Sequence, residues 1–370
     1  MNKEIPTLVT TAPSPRTTAT STSTIDRPLR LGLVGYGIGG RLFHAPFITA
    51  AAGIELVGVV ARSGQNQQAV VKDLPGVTVF PSLTAMLAAG EIDAVTITTP
   101  PATRHDLVLE AIAAGVHVVA DKPFAPTAQA AQDMQNAAYR AGVILNIYHN
   151  RRRDPDVLTL RSLIQTGRLG RLTRLHTIMD QDSADTLETG PTGGLLRDLG
   201  SHMIDQHLVL LGPVTAVHAT LDTTTRFGDE TDCGFFVWML HADGRTSTAS
   251  ATKLNHSSTR ELRAYGEKGS YIATSTDVQA QDLFAGRRPV DDPEGWGIEP
   301  KESWGTLATD EGRVTVPSVQ GSYTSFYEDF ARAVYGHGPQ PVPSADGVRV
   351  LRVLDAARES ARTGRIVTVV

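Results

Sequence analysis

Leu29-Arg-Leu-Gly-Leu-Val34 runs directly into Gly35-Tyr36-Gly37-Ile38-Gly39-Gly40. The hexapeptide alternates and is bounded by turn residues, which predicts a β-strand. The glycines fit G-x-G-x-x-G, and an apolar segment with helical character follows to about Ala52, restarted at Pro46 because the residue before a proline resists the helical conformation. Ile54–Val60 is then a β-branched run, the second strand. Alone the motif is weak. Between a strand and a helix of one βαβ unit it predicts a dinucleotide site, with a tight turn and backbone N–H groups free to approach a pyrophosphate.

The end of the second strand speaks to the cofactor. A free ribose 2′-hydroxyl is usually met by a carboxylate about 20 residues beyond the glycines. Here Ala61, Arg62 and Ser63 stand there, and Glu55 is the only carboxylate between Ile54 and Lys72. An arginine fork suits a 2′-phosphate, which predicts NADP, with NAD as the alternative if Arg62 is a solvated loop residue.

The alternation continues outward. Val77–Phe80 is a strand, Ser82 caps a helix through Ala89, and Asp93–Thr98 is a buried strand ending in Thr99-Pro100-Pro101. Thr103 is expected to cap a helix to Ala114. His117–Ala120, a helix from Thr127 to Ala141, and Val143–Ile147 complete the series. Strands alternating with helices imply a doubly wound parallel sheet with ligands at the carboxyl ends of its strands, where Asp121-Lys122-Pro123 and Tyr148-His149-Asn150 fall.

Beyond Asn150 come Arg151, Arg152 and Arg153 and a helix of about Pro155–Thr166; the triplet reads either as an anion site or as a solvated helix start. Leu172–Met179, Val214–Asp222, Cys233–Leu240, Ser247–Leu254 and Glu261–Tyr265 then read as strands of a largely antiparallel sheet. Gly193-Gly-Leu-Leu-Arg-Asp198-Leu-Gly-Ser-His202 interrupts them and leads into an apolar helix to Leu211. Asp198 and His202 are spaced i, i+4 and share a helix face. They read either as a proton-transfer unit, the carboxylate raising the imidazole's pKa, or as a cap and a structural histidine. His202 and His207 diverge around a helix, so no metal site is expected.

The whole chain has 370 residues, which predicts two domains. The expected organisation is a tail over 1–27, a dinucleotide-binding domain over 28–150 and an α+β domain over 151–370. From Pro6 to Thr24, 14 of 19 residues are Ser, Thr or Pro, which predicts disorder or an arm reaching a neighbouring subunit, and no signal peptide. With 34 basic and 39 acidic residues, the net charge of −5 argues against nucleic acid or an anionic membrane as the main partner. No apolar run approaches the roughly 18 residues of a membrane span. Cys233 is the single cysteine, which excludes an intrachain disulfide and a cysteine zinc site and suits the cytoplasm.

Taken together, the residues from Leu29 to the C-terminus resemble the glucose–fructose oxidoreductase / inositol dehydrogenase / rhizopine-catabolism (Gfo/Idh/MocA) family. The resemblance rests on the glycine motif, Thr99-Pro100-Pro101 with His105, Asp121-Lys122-Pro123 and the Gly-Gly…Asp198…His202 segment. Phe43-His-Ala-Pro46, Asn150-Arg-Arg152, Gly200-Ser-His202 with Asp205-Gln206, Tyr323…Phe326-Tyr327 and Pro341-Val-Pro343 are similar to a branch containing NADP-linked scyllo-inositol dehydrogenases. The fold implied is a Rossmann doubly wound parallel sheet followed by an α+β domain with a large, mostly antiparallel open sheet. That sheet implies a homodimer or homotetramer.

The activity implied is hydride transfer between a nicotinamide and a secondary hydroxyl or ketone of a cyclic polyol or sugar. Lys122 resembles the lysine that contacts the reacting oxygen, with Asp198 and His202 facing it and His202 accepting the proton. The cofactor-facing residues are then Gly35, Tyr36, Gly37, Ile38, Gly39, Gly40, Arg62, Ser63, Thr99, Pro100, His105, Asp121 and Lys122. The substrate-facing residues are Lys122, Tyr148, Asn150, Arg151, Asp180, Asp182, Asp198 and His202. The chain departs from the family at Asp121, where Glu is usual, at Tyr148-His149, where the branch often has Phe-Gln, and in a shorter, less basic 180–192 segment. Asp180 and Asp182 there offer carboxylates to hydroxyl groups. Two other activities occur on this fold: glycoside cleavage with a transiently used nicotinamide, and cofactor sensing without catalysis.

Overall fold

The structure, a computed structural model, describes residues 27–370 except 191, 192, 227, 275 and 276. The expected tail therefore lies outside the described residues but for Arg27, whose guanidinium grips Asp93 at 2.6 and 2.8 Å.

The first sheet holds β1 (Leu29–Val34), β2 (Ile54–Val60), β3 (Thr78–Phe80), β4 (Ala94–Ile97), β5 (His117–Ala120) and β6 (Leu145–Ile147), all parallel, in the order β3-β2-β1-β4-β5-β6. Its central strands are apolar on both faces because helices cover both: β4 is buried at every residue. The helices are α1 (Ala45–Ala50), α2 (Gly64–Asp73), α3 (Leu83–Ala88), α4 (Pro101–Ala113) and α5 (Ala128–Ala141). The chain order reverses between β1 and β4, so a crevice opens where both strands end, at Gly35 and Thr98.

Local chemistry sets the boundaries. Ser82 accepts from the N–H of Ala85, as expected of an N-cap, and Thr127, read as the first helical residue, instead caps α5 by accepting from Ala130. The expected cap at Thr103 is corrected: α4 begins earlier, at Pro101, and the Thr103 hydroxyl donates back to the Pro100 carbonyl. α2 had no apolar stripe to announce it, since Val70 is its one buried residue; Ser63 caps it instead. The segment after the glycines is a π-helical turn, Gly39–His44, before α1, with Pro46 in the first turn where its missing N–H is harmless.

The second sheet comprises β7 (Leu172–Asp180), β8 (Val214–Thr224), β9 (Thr231–His241), β10 (Thr246–Thr252), β11 (Thr259–Gly266), β12 (Gly269–Ala273), β13 (Thr306–Thr309), β14 (Gly312–Thr315) and β15 (Val367–Thr368). Its order is β14-β13-β12-β11-β7-β10-β9-β8-β15, antiparallel except where β10 runs parallel to β7. One face carries α6 (Pro155–Gln165) and α7 (Leu195–Leu211), and α8 (Val278–Phe284) follows β12. α9 (Thr324–Val334) packs on α1 and β2, and α10 (Ser344–Thr363) lies between the two halves, against β8 and α7 on one side and α5 and β6 on the other. Val342 bonds the side chain of Asn146, and Gly347 lies so close to Ile147 and Phe124 that a Cβ would not fit.

Candidate active site

At the end of β1, Gly35 turns the chain with a φ of 102°, a conformation that favours glycine. A Cβ on Gly40 would collide with the Gly35 carbonyl, so the following helical turn packs directly on the loop. Gly37 is different: a Cβ there would meet nothing within 4 Å. Its backbone faces open space, and Ile38 beside it is 74% exposed. This is a cradle that a pyrophosphate fits. Tyr36 does not line it through its side chain, which is buried with its hydroxyl on Asp73 at 3.3 Å. Arg62 is exposed at the end of β2, and the hydroxyl of Ser63 is occupied as the α2 cap.

The loop after β5 lies against this cradle. A Cβ on Gly39 would sit 3.6 Å from Asp121 Oδ2. Asp121 Oδ1 accepts from the Lys122 N–H at 2.7 Å and lies 3.4 Å from His44 Nε2. Burial pushes the Asp121 carboxyl up, but His44, Arg104 and Lys122 outweigh it and hold it at about 2. The Lys122–Pro123 peptide is cis.

Arg104 holds this loop and the Thr99-Pro100-Pro101 turn together. It is buried in α4 and donates to the carbonyls of Asp121 at 2.6 Å, Thr99 at 2.5 Å and Pro123. Burial lowers its pKa. Sequence reasoning passed over it for its neighbour His105, which is partly exposed and contacts Asp106 at 3.0 Å. Its signal was present: Pro101, Arg104, Val108, Ala111 and Ile112 form one buried stripe at helical spacing, in which the arginine is the exception.

Lys122 Nζ donates to Asp198 Oδ1 at 2.5 Å. Burial lowers the lysine's pKa, but Asp198 and Asp121 more than reverse that. Asp198 is desolvated too, yet two lysines hold its carboxyl well below the usual range, because Lys253 Nζ donates to Oδ2 at 3.0 Å. Lys253 was missed as well. It continues the inward parity of Ser247, Ala249 and Ala251 one step beyond β10, a charge placed on a buried face.

Asp198 and His202 both lie on α7, but Asp198 turns to the lysines. The expected raising of the imidazole is corrected. Burial, followed by Lys122 and Arg151, drives the His202 pKa well below 6.5, so the ring is neutral at pH 7. Its Nδ1 is buried without a partner, and its ring stands 6.0 Å from that of His149.

Of the other expected substrate residues, Arg151 lies near enough to His202 to depress its pKa, though it is engaged in ion pairs of its own. Tyr148 is fully enclosed by His44, Phe326 and Tyr327, at ring distances of 4.1, 5.0 and 5.5 Å. Asn150 is buried at the start of the turn holding the arginines. Arg151 pairs with Asp277 at 2.9 Å, Arg152 with Asp205 at 2.5 Å and Arg153 with Asp329 at 2.6 Å. The triplet is thus an internal ion-pair network, neither an open anion site nor a solvated helix start. Strand alternation puts Asp180 on the opposite sheet face from Thr177, whose hydroxyl meets His207 on α7. Asp182 is exposed beside His256. Among the described residues no group of three or more His, Cys, Asp or Glu side chains could hold a metal, and no helix is long and apolar enough to cross a membrane.

Comparison with known proteins identifies the family of both halves of the chain. Residues 29–149 match the oxidoreductase family domain described as an NAD-binding Rossmann fold, and residues 161–369 match that family's C-terminal alpha/beta domain. The chain is 30% identical over 348 residues to scyllo-inositol 2-dehydrogenase (NADP(+)) IolW of Bacillus subtilis, covering 92% of this chain and 95% of that protein. It is 28% identical to inositol 2-dehydrogenase of Rhizobium meliloti, covering 92% and 99%. The structure of the yvaA protein of Bacillus subtilis superposes with a TM-score of 0.85 at 30% identity, covering 92% and 98%.

Proposed function

From membership of the Gfo/Idh/MocA oxidoreductase family, to which the chain belongs, we propose that it moves hydride between NADP(H) and a secondary hydroxyl or ketone of a cyclic polyol or sugar. The observation that carries this reading is the convergence of the open glycine cradle, the Asp121-Lys122 loop and the start of α7 at one crevice. Gly35 to Gly40 would hold the pyrophosphate, Arg62 the 2′-phosphate, and the loops at Thr99, Pro100 and Asp121 the nicotinamide end. The bound nicotinamide supplies hydride acceptance and donation.

The chain's own groups then handle charge and proton. Lys122, cationic beside Asp198, faces the substrate oxygen and stabilises the negative charge it gathers. His202, neutral and buried, accepts the hydroxyl proton during oxidation and returns it during reduction. Asp198 serves Lys122 rather than the imidazole. The names of the two inositol dehydrogenases support an inositol-like substrate, and the neutral, hydroxyl-rich class accords with an arginine triplet that is internally paired.

The sheet face away from α7 carries Phe236, 43% exposed, and Ile272, 39% exposed, with Trp238 and Ile178 partly covered. A second copy of the chain covers this face, giving a dimer or tetramer. The protein works in the cytoplasm, whose reducing chemistry suits its one buried thiol, Cys233.

The test is incubation with NADP+ or NAD+ and a panel of inositols, aldoses and anhydrosugars, following reduced-cofactor absorbance, with the reverse panel run from NADPH. Turnover with NADP+ on one polyol group is expected. Silence in both directions with cofactor bound, or sugar release from an aryl glycoside without net redox change, overturns the reading.

A further inference from the structure

One carboxylate is shared by two lysines of unequal exposure. The Lys122 side chain is 20% exposed, while that of Lys253 is 4% exposed. Lys253 spends its ammonium on the protein: one bond goes to Asp198 Oδ2 at 3.0 Å and one to the Thr186 carbonyl at 3.2 Å, in the turn Ala184–Thr186 between β7 and α7. Its backbone N–H is fixed on the Cys233 carbonyl at 3.0 Å. A charge buried on a face of small residues is costly unless its partners need it there.

Charge counting shows what the arrangement does. Lys122 with Asp198 alone would be a closed neutral pair. With Lys253 the group carries one net positive charge, and its exposed end is Lys122, where the oxygen of a reacting alcohol would sit. Two further carboxylates act on Lys122: Asp121, which lies by His44 and the guanidinium of Arg104, and Glu188, which also acts on Arg104; neither is bonded to Lys253.

We propose that Lys253 is a positioning residue for the reaction: by holding Asp198 Oδ2 it presents Oδ1 to Lys122 and ties the turn Ala184–Thr186 to the same carboxylate. This rests on the reading of Lys122 as the group facing the reacting oxygen. Lys253 itself touches neither substrate nor cofactor.

The test compares Lys253→Met, Lys253→Gln and Lys253→Arg in single-turnover hydride transfer with enzyme in excess, where the first-order rate constant does not depend on the fraction of active protein. Removing the charge lowers that constant about 10- to 100-fold, the scale of a misplaced catalytic group, while the dissociation constant of NADPH stays within about twofold. Lys253→Arg, which keeps the charge, lies nearer wild type than either neutral variant, and Lys253→Gln supplies the comparison if Lys253→Met does not fold. A neutral variant with the wild-type constant, or an arginine variant as slow as the neutral ones, overturns the proposal. A crystal structure of a neutral variant decides the point without activity: Asp198 should leave Lys122, and an undisturbed contact between them overturns the positioning role. If wild-type protein transfers no hydride to any polyol or sugar, the proposed function fails, and that crystal structure still decides the role of Lys253.

Discussion

Arg104 donates to the backbone carbonyl of Asp121 at 2.6 Å, so a side chain in the first turns of α4 fixes the loop that carries Lys122. Its other two acceptors are the carbonyls of Thr99 and Pro123. Replacing it by methionine leaves three carbonyls without their donor. We expect Arg104→Met to lose about 3 kcal/mol or more of stability, since each buried group left unpaired costs roughly 1–3 kcal/mol. Cofactor affinity should weaken at least tenfold. Arg104→Lys should recover little, because one ammonium cannot span three acceptors that a planar fork reaches. Thermal melts and NADPH fluorescence titrations check this, and a wild-type melt in both variants would refute it.

Arg62 is exposed at the end of β2, immediately before the α2 cap Ser63. If it meets a 2′-phosphate, Arg62→Asp replaces a charge-assisted bond with a repulsion. Bonds of that kind are worth about 1.5–3 kcal/mol, so the ratio of kcat/KM for NADP to that for NAD should fall at least about tenfold. The thermal midpoint should hardly move. An unchanged ratio defeats the 2′-phosphate assignment.

What could be read from the sequence and what could not divide along physical lines. β1, the glycine motif and the cap Ser82 were legible because local patterns dictate them. α2 was not, since GQNQQAVVKD shows no apolar period. Asp198 and His202 were singled out by spacing and Lys122 by the family resemblance, but their partners were not. That Asp198 would serve two lysines depends on β10 bringing Lys253 beside α7, a contact 55 residues distant in sequence. Tyr148 and Asp180 misled for the same reason. Both are polar residues at strand ends, yet packing encloses one and alternation turns the other to the far face of its sheet. Arg104 and Lys253 show how such residues can be found: each is a charge on a buried stripe.

The neutral state of His202 sets the pH dependence. During oxidation the imidazole must be unprotonated, and burial and Lys122 drive its pKa well below 6.5. Oxidative kcat/KM should therefore stay level from pH 7 down to 6.5 and fall only at lower pH. Lys122→Met should retain cofactor affinity and lose about 10²- to 10⁴-fold in turnover, the range for a proton-transfer or oxyanion group. Its residual activity should show the acid limb moved upward, because a cation that depressed His202 is gone. A wild-type acid limb at pH 7 or above would contradict a neutral His202, and full turnover in Lys122→Met would remove the lysine from the mechanism.

Phe236 projects from β9 on the face opposite α7, with Ser250 and Thr220 beside it in register. If a second copy covers this face, Phe236→Asp buries a charge in the interface. The variant should shift toward monomer in light scattering at micromolar concentration, with its secondary structure intact. A wild-type protein that is monomeric under those conditions rules the interface out.

Glu299 offers a test of the fold that is separate from the crevice. It is 3% exposed, its Oε2 accepts from Ser318 at 2.6 Å, and its Oε1 is buried without a partner. Burial, reinforced by Asp156, raises its carboxyl from 4.5 to about 7. The folded chain therefore keeps this proton where the unfolded chain has lost it. The stability it contributes is full below pH 4.5, declines as pH rises toward 7, and is gone above that value. Glu299→Gln keeps a neutral, hydrogen-bonding side chain at every pH and escapes the decline. The variant should melt close to wild type near pH 4.5 and above it at pH 8, by about 3 kcal/mol or several degrees. Thermal melts of both proteins across that range decide it: a gap that does not widen with pH means that Glu299 ionises in the fold as freely as in water.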